Sequence, residues 1–191
     1  IAPGPYCDPV FVDTFDPAAG EAALTEGGWT KNGEGLWADA EGNVLACGRD
    51  PYFPAWPEVV QLDASRSDVR RASTEVVSSI ADRCDGVRCD MAMLMLDDVF
   101  TSTWGDRTTG PVDNQGYWPP LIESVRATHP DFVFWAEAYW DLEWTLQQQG
   151  FDYTYDERLY DRLLHERPEA VYQHLMADGD YQERLIRFVE N

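Results

Sequence analysis

The sequence has little positive charge, no long apolar run and no recognisable signal peptide. Its 191 residues include 14 Lys and Arg against 35 Asp and Glu, a formal net charge of −21. Such a chain repels a phosphate backbone and an anionic membrane surface, so we expect neither nucleic acid nor a membrane as partner. No apolar run approaches the roughly 20 residues of a spanning helix. Both ends look cut, since the chain starts at Ile1 rather than Met and stops in the strand-like run 188–191, so the localisation stays unknown.

The four cysteines do not indicate zinc or thiol redox chemistry, because no CxxC spacing occurs among Cys7, Cys47, Cys84 and Cys89. We predict that Cys89, inside a strand-like run, is a small buried apolar residue. A bridge between Cys7 and Cys47 is one pairing that the sequence allows, although nothing in the sequence favours it.

Two short runs of strand-forming residues end abruptly in a carboxylate. The first is 85–90, which ends at Asp90, and the second is 132–137, which ends at Glu137. Such runs are typical of strands buried on both faces, and in a (β/α) barrel the chemistry lies at the carboxyl ends of the strands. We therefore expect Asp90 and Glu137 to lie side by side at this rim.

Strands and helices alternate along the second two-thirds of the chain. Apolar spacing predicts helices at about 67–83, 119–128 and 142–149, strands at 151–155 and 185–189, and between these two strands helical segments with Leu159, Leu163 and Leu164 on one face and a break at Pro168. The stretch from residue 91 to Gly116 is interpreted as a loop. Four alternations favour parallel βαβ units, so the predicted class is α/β. A complete barrel usually needs about 250 residues, so we predict a partial (β/α) barrel of the TIM type.

Residues 1–64 lack a sustained helical period and are interpreted as an irregular segment, with a hairpin around 36–45. Unstructured segments of this length usually serve a function, and we expect this one to pass over the active face. Aromatic residues between prolines at 49–58 either stiffen a platform for a sugar ring or pin the loop to the core. The sequence leaves this choice open.

The two carboxylates fit the cleavage of a glycosidic bond, which needs one carboxylate at the anomeric carbon and one carboxylic acid for the leaving oxygen. Glu137, followed by Tyr139 and Trp140, fits the acid, and Asp90, held ionised by Arg88, fits the nucleophile. The structural alternative is that Arg88 and Asp90 form a buried ion pair and that Glu137 caps a following helix. The residues alone leave both interpretations open.

Four segments resemble motifs of the α-amylase family, glycoside hydrolase family 13. Gly86-Val87-Arg88-Cys89-Asp90 is similar to the motif that ends the fourth barrel strand with the nucleophile, and Ala136-Glu137-Ala138-Tyr139-Trp140 matches the end of the fifth strand with the general acid. Residues 57–63 resemble the segment before the third helix. Residues 188–191 resemble the start of the seventh-strand motif. The resemblance extends over nearly all the chain from about Arg49 onward.

This resemblance implies a retaining α-glycoside hydrolase that acts on α-glucans or maltooligosaccharides. It implies that residues 1–64 belong to the domain inserted after the third strand, and that 65–191 hold strands four to seven of the catalytic barrel. The residues assigned on this basis are Asp90 and Glu137 as catalytic groups and Arg88, Tyr139, Trp140 and Asn191 as substrate-binding groups. A transglycosylase of the same family, a non-catalytic carbohydrate-binding module and an unrelated small α/β domain are the alternatives.

Departures from the family pattern limit these expectations. The first two strands and the third catalytic Asp are absent, so we expect the isolated chain to have little or no turnover. Its two open strand edges predict self-association. No cofactor is expected. The resemblance implies calcium as the metal to consider. Met93-Leu94 stands where α-amylases commonly have the Lys-His pair associated with the calcium contact, so this sequence departs from the family at that point.

Overall fold

The computed structural model describes residues 16–108 and 116–188, without the side chains of residues 57, 58 and 106. The chain divides into two compact units. The smaller comprises Ile1–Gly48 and Trp56–Gln61, and the larger comprises Arg49–Ala55 and Leu62–Asn191. None of the described helices has the length and apolar composition needed to cross a bilayer.

The smaller unit contains two short antiparallel pairs. Strand β1 (Thr30–Lys31) pairs with β2 (Trp37–Ala38), and β3 (Cys47–Gly48) pairs with β4 (Trp56–Val60). An antiparallel bridge between Ala38 and Val44 confirms the predicted hairpin. Its turn is closed by Asp39, whose Oδ1 accepts a hydrogen bond from the backbone N–H of Asn43 at 2.7 Å.

Helix α1 (Pro17–Glu26) corrects the prediction that the first 64 residues are irregular throughout. It buries no residue, so its sequence carries no apolar stripe, and a search for helical period misses it. The helix begins at Asp16, whose Oδ1 accepts hydrogen bonds from the backbone N–H groups of Ala18 and Ala19 at 3.0 and 3.1 Å. This cap, with Pro17 at the first helical position, was the available signal.

Four parallel strands form the sheet of the larger unit, in the order β5 (Gly86–Cys89), β6 (Val133–Ala136), β7 (Tyr153–Tyr155) and β8 (Leu185–Ile186). Spatial order follows chain order. This arrangement is that of an arc of a (β/α) barrel, whereas a doubly wound sheet reverses its strand order at one point. The predicted α/β class is confirmed, and β8 is shorter than the predicted strand.

Helices alternate with these strands as the apolar spacing predicts. Their bounds are α2 Ser67–Ala81, α3 Asp97–Trp104, α4 Trp118–Arg126, α5 Glu143–Gln148, α6 Glu157–His165, α7 Pro168–Leu175 and α8 Gly179–Gln182. Helix α3 corrects the prediction of a loop after residue 90. It is only eight residues long, yet two acids in its first turn favour it, and it buries Phe100, Thr103 and Trp104.

The predicted common face of α6 is wrong in part. Leu159 is buried, whereas Leu163 and Leu164 are 61% and 57% exposed. Apolar spacing identifies the stripe of a helix but not which element covers it.

Strand β6 passes through the centre of the core. Phe134 and Ala136 of β6 are fully buried, and they pack with side chains from α4, α5 and the segment after β5. The largest fully buried side chains of this core are Phe134, Phe151, Met93, Leu146 and Val125. The strand end that carries Glu137 is therefore held by rigid packing on both sides.

Candidate active site

Asp90 and Glu137 follow the last paired residues of two neighbouring parallel strands. The final pair in the register is Cys89 with Ala136, and the backbone N–H of Glu137 donates to the carbonyl oxygen of Cys89 at 3.0 Å. The two carboxylates therefore leave the sheet at the same level of its carboxyl edge. Cys89 itself is partly buried in the core, and burial raises the pKa of its thiol to about 12.

The guanidinium of Arg88 contacts both carboxylates. Its Nη1 donates to Oδ1 of Asp90, and its Nη2 lies 3.0 Å from Oε1 of Glu137. Its Nε donates to the hydroxyl oxygen of Tyr155 on β7 at 2.9 Å. Partial burial lowers the pKa of Arg88, but the hydrogen bonds to Tyr155 and Asp90 and the charge of Glu137 raise it more, so the net pKa lies above its ordinary value. Arg88 thus stays a cation between two acids.

The two carboxylates differ in exposure. The side chain of Asp90 is 75% exposed, whereas that of Glu137 is 9% exposed. Glu137 is fixed by two further donors: the backbone N–H of Met91 reaches Oε2 at 2.7 Å, and the hydroxyl of Tyr139 reaches Oε1 at 3.1 Å. Met91 has a left-handed backbone, with φ of 44°, in the turn that follows Asp90. One carboxylate is open to solvent, and the other is held in place.

The alternative interpretation was a buried ion pair between Arg88 and Asp90, with Glu137 as a helix cap, and the structure agrees with it only in part. Arg88 and Asp90 do form an ion pair, but the pair is exposed rather than buried. Glu137 does not cap the next helix, since α5 begins six residues later, at Glu143, with Leu142 as its cap residue.

Tyr139 and Trp140 lie in the turn after Glu137. Trp140 and Asp141 both have left-handed backbones, with φ of 63° and 60°. Asp141 is held by an ion pair of 2.8 Å to Nε of Arg158 on α6, and the ring of Trp140 makes an edge contact with Tyr52 at 4.8 Å. Trp140 is thereby fixed beside Glu137. Asn191, the remaining predicted substrate-binding residue, lies outside the described residues.

A cavity of about 500 Å³ opens next to this turn. It is lined by Asp50, Phe53, Met91, Tyr139, Trp140, Asp141, Glu143, Glu157, Arg158 and Asp161. Phe53, from the aromatic segment at 49–58, lines the cavity. The acidic residues of α5 and α6 were missed. For α6 a signal was available at 155–158, where a third strand also runs directly into acids.

Glu143 and Glu157, two acids of the cavity, both have a raised pKa. Burial raises the pKa of Glu143 to about 7, with the charges of Asp141 and Asp156 adding to the effect. Burial also raises the pKa of Glu157, followed by the charges of Asp161 and Glu137. Glu143 is 2% exposed.

The acid that follows β7, Asp156, has a different environment from Asp90 and Glu137. It is fully enclosed, forms an ion pair with Nε of Arg187 at 3.0 Å, and lies 2.8 Å from Nε2 of His174. It also accepts a hydrogen bond from the backbone N–H of Leu159 at 3.2 Å, as the cap of α6. Burial lowers the pKa of His174. Asp156 is therefore a structural group.

The fit to a metal ion is poor. Met93 and Leu94 offer no oxygen or nitrogen side-chain ligand where the α-amylase family commonly has a Lys-His pair, and Met93 is fully buried. Among residues 16–108 and 116–188, no three His, Cys, Asp or Glu side chains are arranged to hold a metal ion.

No family model and no curated protein sequence matches the chain. Among solved structures, the chain is similar to a cyclic α-maltosyl-(1→6)-maltose hydrolase from Arthrobacter globiformis in complex with cyclic α-maltosyl-(1→6)-maltose. The identity is 16% and the TM-score 0.58, over 88% of this chain and 37% of that chain. It is also similar to an acarbose-soaked debranching enzyme from Nostoc punctiforme, at 15% identity and a TM-score of 0.53, over 90% of this chain and 40% of that chain. At these identities the likeness shows the fold.

The chain has the fold of part of a (β/α) barrel. The predicted resemblance is thus confirmed at the level of fold. The chain spans about two-fifths of the length of these two enzymes.

Proposed function

We propose that the chain is part of a retaining α-glycoside hydrolase of the α-amylase family, acting on α-glucans or maltooligosaccharides. One observation carries the proposal: a single guanidinium, that of Arg88, contacts a carboxylate from each of two neighbouring strand ends. Retaining glycosidases hold their two carboxyl groups about 5 Å apart. Two carboxylates bound to one guanidinium satisfy this requirement of proximity.

The exposure of each carboxylate supports its role. Asp90 is open to an incoming sugar, and Arg88 orients it, so it attacks the anomeric carbon as the glycosidic bond breaks and forms a glycosyl ester. Glu137 protonates the departing oxygen and then removes a proton from the water that hydrolyses the ester. The donors around Glu137, namely Met91 N–H and Tyr139 O–H, hold its carboxyl group in one orientation for both steps.

Carbohydrate as the partner is supported by the aromatic wall of the cavity, formed by Phe53, Tyr139 and Trp140. Such rings stack on the apolar faces of sugars, while a few polar groups fix orientation. The two similar enzymes also point this way, since one was solved with a cyclic maltosaccharide and the other was soaked with acarbose. We assign Asn191 to substrate binding as part of the same proposal.

The isolated 191-residue chain is proposed to have little turnover and to self-associate. This proposal follows from the resemblance, which implies that the third catalytic acid of the family comes after Asn191. Within the described residues, β5 pairs only with β6 and β8 only with β7, so each has an open edge that can pair with a strand of another copy. Light scattering is the test, and a monomer at all concentrations would count against self-association.

The activity test measures reducing ends released from maltoheptaose. The chain is compared with a form extended at both ends to a complete barrel, with and without Asp90→Asn. We expect activity only in the extended form, and loss of that activity in Asp90→Asn. The matched control is Asp98→Asn, an exposed acid on α3.

A non-catalytic carbohydrate-binding module is the second candidate, and the aromatic-lined cavity favours it, because such a surface binds sugar whether or not the acids react. If the extended form binds maltoheptaose, measured by tryptophan fluorescence, yet releases no reducing ends, this second candidate replaces the first. Transfer to an added sugar acceptor, followed by mass spectrometry, separates a transglycosylase from a hydrolase.

A further inference from the structure

The guanidinium of Arg88 has a third partner besides the two carboxylates. Its Nε donates to the hydroxyl oxygen of Tyr155 at 2.9 Å, while Nη1 donates to Asp90 and Nη2 lies 3.0 Å from Oε1 of Glu137. All three nitrogens of the planar guanidinium are therefore engaged. Partners on all three nitrogens fix the direction of the group as well as its place.

Tyr155 lies at the same rim of the sheet as the two acids. The preceding residue, Thr154, pairs with Ala136 in the parallel register of β6 and β7, so Tyr155 is level with Glu137. One guanidinium is thus surrounded by the acids that follow β5 and β6 and by the last residue of β7.

Of the two carboxylates, only Glu137 is a firm anchor for Arg88. Asp90 is 75% exposed, and an ion pair at an exposed position is weak. The side chain of Arg88 is itself 39% exposed, and it is long, so it has much rotamer entropy to lose. A guanidinium held firmly at Nη2 alone can pivot about that contact. A second firm contact, at Nε, prevents the pivot and keeps Nη1 directed at Asp90.

Tyr155 is a firm support because neighbouring elements set its own place. It pairs in register with Ile186 of β8. Its ring contacts the rings of Trp135 and Phe188, with centroids 5.6 and 5.1 Å away. These packed rings leave the side chain little freedom, so the hydroxyl oxygen stays within reach of Nε.

We propose that Tyr155 is a positioning residue of the candidate active site. Its hydroxyl oxygen fixes the Nε corner of the Arg88 guanidinium and thereby directs the other two nitrogens at Asp90 and Glu137. The effect on turnover rests on the proposed glycosidase function, whereas the contact with Arg88 does not. Tyr155 acts through Arg88 and has no need to touch the sugar.

Tyr155→Phe tests the hydroxyl alone, because phenylalanine keeps the ring contacts and the ring face that lies 5.5 Å from Cζ of Arg88. In the extended form, kcat for maltoheptaose hydrolysis is expected to fall about tenfold with KM nearly unchanged, since the acids lose their alignment while the sugar-binding surfaces remain. The matched control is Tyr153→Phe, which removes a hydroxyl from the same face of β7 two residues earlier. It is expected to leave both constants unchanged.

A second readout does not depend on turnover. In the ¹⁵N-labelled 191-residue chain, NMR measures how fast the Nε proton of Arg88 exchanges with water, and Arg88→Lys identifies the signal by its loss. The hydrogen bond to Tyr155 slows this exchange. Tyr155→Phe is expected to speed it at least about tenfold, and Tyr153→Phe to leave it unchanged.

Unchanged exchange in Tyr155→Phe overturns the proposal, because the guanidinium would then be held without the hydroxyl. Faster exchange with unchanged kcat in an active extended form also overturns it, as does a rise in KM alone or an equal loss in Tyr153→Phe. If the unmodified extended form has no turnover, the proposed function fails instead. The exchange rate then still decides whether Tyr155 positions Arg88.

Discussion

Asp90 and Asp156 each follow a strand of the same sheet, yet their surroundings are opposite. Asp90 is 75% exposed and shares Arg88 with Glu137. Asp156 is fully enclosed by His174, Arg187 and the first turn of α6. A carboxylate at a strand end is therefore not a site by itself. An acid that a ligand can reach, such as Asp90, is available for chemistry. An acid that is enclosed by its own partners, such as Asp156, holds the fold together.

The largest predicted effect is the loss of turnover when Asp90 is replaced. In the extended form, Asp90→Asn is expected to lower the rate of maltoheptaose hydrolysis at least about 10³-fold, because the amide cannot form the glycosyl ester. The midpoint of urea unfolding of the same variant is expected to change little, since the side chain is exposed. A large loss of stability with unchanged turnover would reverse the assignment of the two acids.

At Asp156 the predicted effect of a substitution is on stability. Asp156→Asn removes the buried carboxylate that pairs with Arg187, contacts His174 and caps α6, and a buried polar group left without its partner typically costs about 1–3 kcal/mol. Urea unfolding of the 191-residue chain measures it. Asp161→Asn, at an exposed position of α6, is the matched control and is expected to have little effect on stability. If both variants unfold at the same urea concentration, Asp156 is not a structural group.

Glu143 gives a pH dependence with a defined sign. Burial raises its pKa to about 7, so between about pH 4.5 and 7 the folded chain holds a proton that the unfolded chain has released. The contribution of this group to stability is thus present at low pH and is lost as the pH rises, by about 3 kcal/mol in all. The titratable groups that face it include Asp141, Asp156, Arg158 and Tyr181, of which Tyr181 is neutral in this range.

Glu143→Gln isolates this effect. The stability of the variant, measured by urea unfolding from pH 4.5 to 7.5, is expected to fall less with rising pH than that of the unmodified chain. Parallel curves for the two proteins would show that Glu143 does not titrate in this range.

The smallest predicted effect concerns Arg88. Arg88→Lys keeps the charge but cannot contact Asp90, Glu137 and Tyr155 together, because lysine lacks the planar fork. Turnover of the extended form is expected to fall about tenfold to a hundredfold, less than for Asp90→Asn. Unchanged turnover would mean that the shared guanidinium is not needed to orient the two acids.

The sequence contained enough to place the strand ends but not their environments. Strands β5 and β6 are apolar runs that stop at an acid, and parallel pairing then places Asp90 and Glu137 together. Partners from distant parts of the chain, such as His174 and Arg187 for Asp156, left no local pattern. Glu143 was missed for the same reason, since its neighbours Asp156 and Arg158 come from other elements.

The missed helices have a different cause. Helix α1 buries nothing, and α3 is short, so neither produces a sustained apolar period. The Asp16 cap of α1 and the first-turn acids of α3, Asp97 and Asp98, were readable in the sequence. The exposure of Leu163 and Leu164 could not be predicted, because it depends on which elements cover α6.

The most direct test of the central claim is to trap the glycosyl ester on Asp90. Maltosyl fluoride needs no acid to lose fluoride, so in the extended form with Glu137→Gln the carboxylate of Asp90 still attacks the anomeric carbon, while the later step, which needs a base, is slow. Mass spectrometry of the digested protein is predicted to find a maltosyl group on the peptide that contains Asp90, and none when Asp90→Asn is added. No adduct, or an adduct on another residue, would contradict the assignment of Asp90 as the nucleophile.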